Sequence, residues 1–274
     1  MTNLLYGANV NANGIRQHYL RYGGSDGVRK DRDPVIVIPG ITSPAITWGF
    51  VGEHIGACFD TYILDVRGRG LSEASDSLDY GINAQADDVL EFAKALGLSR
   101  YSLVGHSMGA RIGMRALRRG DTSPQRLVMV DPPVSGPGRR EYPSKLPWYI
   151  DSMAAARKGM DADAMRAFCA TWTEEQLLLR AEWLHTCDER AIRQSFDEFH
   201  TDDFHADIPH VTQPVLLVRA GKGGVILDED VAEMQSMKPD MLVSTVANAG
   251  HMIPWDDEPD FYRSMGDFLG ATIA

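Results

Sequence analysis

The chain has little cysteine, a deficit of basic charge and no long apolar run. Its 274 residues include three cysteines, Cys58, Cys169 and Cys187, odd in number and widely spaced. That spacing excludes a disulfide framework and a zinc site, and free thiols fit a reducing cytoplasm. Lys and Arg number 27 against 38 Asp and Glu, for a formal net charge of −11. Nucleic acid and anionic membranes both need a basic face, so neither is an expected partner. The opening residues, MTNLLYGANVNANG, have no basic start and no long apolar stretch. Neither a signal peptide nor a membrane anchor is expected there.

What is present is alternation. Short apolar runs read as strands: VIVIPG (35–40), YILDVRG (62–68), YSLVGHS (101–107), RLVMVD (126–131), PVLLVRAG (214–221) and LVSTVANAG (242–250). They are apolar at successive positions, as strands covered on both faces are. IRQHYLRY (15–22) is a further strand-like segment. Helical periodicity lies between them, at 82–98 with Gly97 as a stop signal, at 108–120 and at 258–270. Strand and helix in turn predict an α/β fold with a mostly parallel sheet and right-handed crossovers. The alternation breaks at about 135–210, where helical stretches such as TEEQLLLRAEWLHT occur without a strand run. The expected organisation is a core of residues 1–134 and 211–274 with a helical cap at 135–210.

The strongest chemical signal is GHSMG, residues 105–109. A strand runs into a helix through Gly-x-Ser-x-Gly, which holds Ser107 in a tight, strained turn above the sheet. The flanking glycines relieve clashes that any side chain would make. A serine hydroxyl needs a base to act as a nucleophile at neutral pH. Of eight histidines, His18 lies in a strand-like segment and His54 in a helical pattern. His106 is inside the turn with its side chain directed away from that of Ser107. His185, His200, His205 and His210 lie in or beside the insertion. Spacing of five rotates a helix by about 140° per step, so the last three share no face and make a poor metal site. His251, on the loop after the last strand, can reach the carboxyl ends of the strands and is the expected base.

The base needs an orienting acid. The strand RLVMVD ends in Asp131, followed by two prolines that offer no N–H to it. The loop after PVLLVRAG opens with Lys222, Gly223 and Gly224, and Asp228 and Asp230 suit the first turn of the next helix. Asp131 is therefore assigned to the imidazole of His251, the alternative being a solvated strand end. The Met108 amide at the helix start and the Ile41 amide in PGITSPAITW are the expected oxyanion donors, with Thr42 and Ser43 placed to touch substrate.

PGITSPAITW, LDVRGRGLS, GHSMGAR, VDPP and NAGHMIPW, in this order, resemble the α/β-hydrolase superfamily over nearly the whole chain. The resemblance implies a mostly parallel sheet flanked by helices, with the cap inserted after the sixth strand and the acid there too. It makes Asp65 and Arg67, in the loop DVRGRGLS, scaffold. NVNANGIRQHYLRYGG, PGITSPAITWGFV, VDPPVSGPGRR, YPSKLPWY, MRAFCATW, RAEWLHTC and NAGHMIPWDD further resemble the bacterial deformylases that act on N-formylmaleamate in nicotinate degradation. That implies a cytoplasmic serine hydrolase without metal or organic cofactor, with Ser107, Asp131 and His251 as its triad. Its small-molecule substrate would carry a carboxylate and an N-formyl amide. Arg139, Arg140, Lys145, Arg180 and His185 are then candidate carboxylate anchors, with Trp148 and Tyr149 as apolar walls and Trp172 and Trp183 as cap core. Two alternatives stay open: another cofactor-free hydrolase of esters or carbon–carbon bonds, and a non-catalytic binding protein of the same fold. The sequence specifies no oligomeric state.

Overall fold

The run Val35–Ile38 is fully buried at every residue. Successive strand residues point to opposite faces, so both faces of the sheet are covered here. The computed structural model of the protein describes residues 2–23, 32–121 and 123–274. Its strands are β1 (Leu4–Ala12), β2 (Ile15–Tyr22), β3 (Val35–Ile38), β4 (Thr61–Leu64), β5 (Tyr101–His106), β6 (Pro124–Val130), β7 (Val215–Ala220) and β8 (Leu242–Val246). They form one sheet in the order β1-β2-β4-β3-β5-β6-β7-β8. β1 and β2 pair antiparallel, β2 pairs antiparallel with β4, and every other pairing is parallel. The carboxyl ends of β3 to β8 therefore share one edge, and the loops leaving them converge there.

Helices α1 (Gly49–Gly56), α2 (Ile82–Ala95) and α3 (Met108–Arg118) follow β3, β4 and β5. Between β6 and β7 come α4 (Leu146–Ala156), α5 (Ala162–Arg166), α6 (Glu174–Trp183) and α7 (Glu189–Thr201). The chain then adds α8 (Asp228–Met237), α9 (Ile253–Asp256) and α10 (Glu258–Leu269). α2 stops just before Gly97, whose φ of +70° the helix cannot continue through. No helix among the described residues is long and apolar enough to cross a membrane.

Buried arginines join the helices after β6 to the helix after Ser107. Arg111 on α3 donates to the carbonyls of Pro133, Ser135, Glu198 and Asp202. Arg115 pairs with Asp207 and Asp202, each at 2.7 Å. The charges are buried only because these partners neutralise them.

Two expectations need correction. β8 is not covered on both faces: Leu242 is 56% exposed, and the strand is the sheet edge, where apolar composition alone does not report burial. β1 lies outside the strands that the apolar runs predict. Its sequence, LLYGANVNA, is rich in Asn, Ala and Gly, and an edge strand paired on one side needs little apolar surface.

Candidate active site

β5 ends at His106, and Ser107 turns the chain into α3 with φ of +53° and ψ of −116°. A non-glycine residue there is strained by about 1–3 kcal/mol. The surroundings hold it: the Ser107 N–H donates to the Val130 carbonyl at 2.8 Å. A Cβ on Gly105 would sit 2.3 Å from the Gly109 carbonyl oxygen, and one on Gly109 would sit 1.9 Å from that of Ile38. Only glycine allows this turn to close against β3.

The Ser107 hydroxyl donates to His251 Nε2 at 3.1 Å, and His251 Nδ1–H donates to Asp131 Oδ2 at 2.7 Å. Asp131 is 1% exposed and takes φ of +46°. Its N–H donates to the Val218 carbonyl at 2.9 Å, and its Oδ1 accepts the Ala220 N–H at 3.2 Å. The carboxylate thus ends β6 bound to β7 and to the loop after β8. With Nδ1–H committed to Asp131, Nε2 is left as the proton acceptor facing Ser107. Asp228 lies elsewhere, largely exposed and paired with Arg219, while Asp230 pairs with Arg140 and caps α8 through the Leu227 N–H.

Four contacts hold the His251 loop. His106 Nε2–H donates to the His251 carbonyl at 3.0 Å. Burial lowers the His106 pKa to about 3, with the nearby His251 adding to the effect, so this ring stays neutral. The Asp256 carboxylate accepts the Gly250 N–H at 2.9 Å and the Thr171 hydroxyl at 3.0 Å. Trp255 stacks on Trp172 with centroids 4.8 Å apart.

The Met108 amide is the first of α3 and so has no intrahelical acceptor. Among the described residues neither it nor the Ile41 amide has a backbone partner. Fully buried Arg69 donates through Nε to the Ile41 carbonyl at 3.0 Å and contacts the Met108 sulfur. It ties the loop after β3 to the start of α3.

A cavity of about 670 Å³ opens above Ser107. Ile41, Thr42, Ser43, Trp148 and Tyr149 line it. His185 does not: it is exposed on the turn after α6, with its Nδ1 on the Glu182 carbonyl. Helical periodicity cannot say which way the residue after a helix end points. Trp172, expected in the cap core, is buried in the core and also lines the cavity, while Trp183 is half-buried and does not line it. Among the candidate cations, Arg139 pairs with Glu233, Arg140 with Asp230 and Lys145 with Glu141, and only Arg180 lines the cavity. His200, His205 and His210 do not converge, and no metal-sized cluster of His, Cys, Asp or Glu occurs among the described residues.

Sequence reasoning missed Tyr142. Its hydroxyl lies 3.2 Å from His251 Nε2, the same atom that faces Ser107. Burial pushes its pKa well above the ordinary tyrosine value, so it stays protonated. It sits in EYPSK, a loop with no periodicity to mark it. The arrangement supplies an aligned hydroxyl, a base, a buried acid, two free amides and a walled cavity.

Residues 35–264 match the model of the alpha/beta hydrolase family. The chain is 61% identical over 269 residues to N-formylmaleamate deformylase of Pseudomonas putida strain KT2440, covering 98% of each. Among solved structures, a serine-to-alanine variant of the N-formylmaleamic acid deformylase Nfo from Pseudomonas putida S16 superposes with a TM-score of 0.90. It is 49% identical, over 95% of this chain and all of that one. E-2-(acetamidomethylene)succinate hydrolase superposes at 0.77 with 22% identity, over 97% and 99% of the two chains, a likeness of fold. With its serine turn, its sheet order and a match over most of its length, the chain belongs to the α/β hydrolase family.

Proposed function

We propose that the protein hydrolyses the N-formyl amide of N-formylmaleamate, giving maleamate and formate, with Ser107, His251 and Asp131 as its triad. The observation that carries the reading is the chain of contacts from Ser107 Oγ to His251 Nε2 and from His251 Nδ1 to Asp131. The 61% identity to an enzyme named for this activity supports the substrate.

His251 takes the proton of Ser107 as the oxygen attacks the formyl carbon. The carbonyl oxygen becomes an oxyanion against the Met108 and Ile41 amides, each such donor lowering the barrier by about 3 kcal/mol. His251 then gives its proton to the departing nitrogen. The C–N bond breaks, maleamate leaves and the formyl group remains on Ser107. Water, deprotonated by His251, attacks the formyl ester, and formate departs as the proton returns to Ser107. The nitrogen lies between two carbonyls, which makes it a better leaving group than that of an ordinary amide. The surrounding sequence divides into the core and the cap at 135–210, and three free thiols fit a cytoplasmic setting.

A serine-directed phosphonate and a panel of formyl amides, esters and carbon–carbon substrates test the reading. Labelling of Ser107 with turnover confined to the formyl amide supports it. Labelling with turnover only of esters or carbon–carbon bonds replaces the substrate, and no labelling of the folded protein removes the enzyme.

A further inference from the structure

The cavity above Ser107 contains a buried cation that no carboxylate among the described residues neutralises. Arg180, on α6, is 3% exposed, and its guanidinium lies 5.8 and 5.6 Å from the ring centroids of Trp148 and Trp172. Nη1 donates to the Thr42 carbonyl and Nη2 to the Thr42 hydroxyl, each at 3.1 Å. Nε is buried and has no hydrogen-bond partner among the described residues. Among the described residues no Asp or Glu pairs with it. The adjacent Cys169 thiol, its pKa raised by burial, stays neutral and supplies no charge. Asp256, which lines the same cavity, is already bound to Thr171 and the Gly250 amide.

The other buried arginines differ in the feature that matters. Arg67, Arg111 and Arg115 each face a carboxylate. Arg69 has none among the described residues, but Ile41, Arg67, Ala191 and Ser195 take up its three nitrogens, and it does not line the cavity. Burying a charge without a counter-ion is costly, so a lone buried guanidinium in a cavity is suited to an anion that arrives from outside. Thr42 occupies the end of the Arg180 fork, between Nη1 and Nη2. The remaining edge, Nε–H with the second Nη2 hydrogen, has the parallel geometry that a carboxylate accepts in two hydrogen bonds.

We infer that Arg180 binds the carboxylate arm of the substrate and selects N-formyl amides that carry such an arm. The inference rests on the deformylase reading and adds the residue that sets its specificity. Thr42 follows Ile41, so the residue that grips the carboxylate also holds the loop bearing an oxyanion donor. A substrate lacking the carboxylate then loses turnover as well as affinity, because remote binding energy no longer sets that loop. Lys222 also lines the cavity, but it is exposed and its charge is already solvated.

The test measures formate release from N-formylmaleamate and from the neutral analogue whose carboxylate is a carboxamide. It compares the unaltered protein, Arg180→Gln, Arg180→Lys and Lys222→Gln. The unaltered protein should prefer the acid by about 100-fold in kcat/KM, as a charge-assisted pair out of water does. Arg180→Gln should lose about 100-fold more on the acid than on the neutral compound, whose own loss reports the Thr42 contact, and so abolish the preference. Arg180→Lys, which keeps the charge but not the fork, should raise KM for the acid by about 10-fold and tests the case in which the glutamine variant does not fold. Equal losses on both compounds would make Arg180 only a prop for Thr42 and overturn the proposal. A preference that survives in Arg180→Gln, or that disappears in Lys222→Gln instead, would also overturn it. Equal rates on the two compounds by the unaltered protein would overturn the proposal alone, whereas formate from neither would overturn the deformylase reading with it.

Discussion

Asp131 and His251 are 120 residues apart in the sequence, and Oδ2 of one accepts the Nδ1–H of the other at 2.7 Å. The contact is possible because β6 ends at the same sheet edge as β8, separated from it by β7 alone. The Val218 carbonyl and the Ala220 N–H of that intervening strand hold the Asp131 backbone and Oδ1. The prolines after Asp131 leave its carboxylate to these distant partners.

Asp131→Asn should fold normally and lose about 10⁴-fold in kcat, because an amide no longer fixes the tautomer of His251 or stabilises its cation. Asn tolerates the φ of +46° at this position, so a melting temperature near that of the unaltered protein is expected. Asp228→Asn, at a largely exposed side chain, should leave kcat unchanged. Steady-state kinetics on the two variants decides the acid, and a collapse in Asp228→Asn alone would reassign it.

Tyr142→Phe removes one hydroxyl and keeps the ring against Phe199, 5.2 Å between centroids. The lost hydroxyl lies against His251 Nε2, the atom that moves every proton in the proposed cycle. We expect kcat to fall by about 10-fold with KM nearly unchanged, the pattern of a contact that matters in the transition state. A change confined to KM would place the hydroxyl in substrate binding instead.

Stability should fall below neutral pH. His106 has its pKa lowered to about 3 by burial in the folded protein, against 6.5 when exposed, and His205 is lowered to about 4 for the same reason. Between those values the unfolded chain binds protons that the native one does not. The stabilising contribution is therefore complete above pH 6.5 and is lost as pH falls from there toward 3. Each such histidine contributes a slope of about 1.4 kcal/mol per pH unit within that window. Denaturant melts from pH 8 to pH 4.5 should show this slope reduced in His106→Gln, and an unchanged slope would mean that the ring is protonated in the fold.

Much of this site can be read from short strings. GHSMG is legible because a nucleophile turn needs both glycines within two residues of the serine, and the structure shows the clashes that any other residue would make. His251 and Asp131 are legible by position, since a residue ending a parallel strand must lie at the common edge. β1 is not, because an edge strand of Asn, Ala and Gly lacks an apolar pattern. Nor are the roles around α6: Arg180 lies on the helix, Trp172 before it and His185 after it, and only tertiary packing turns the first two into the cavity and the third to solvent. Tyr142 lies in a loop whose path is set by the Phe196 and Phe199 rings from α7, far along the chain.

The most direct test of the central claim is formate release from N-formylmaleamate by the purified protein and by Ser107→Ala. The account predicts formate and maleamate in equal amounts from the unaltered protein and none above background from the variant, with both equally folded. Formate release that survives the loss of the Ser107 hydroxyl would contradict it.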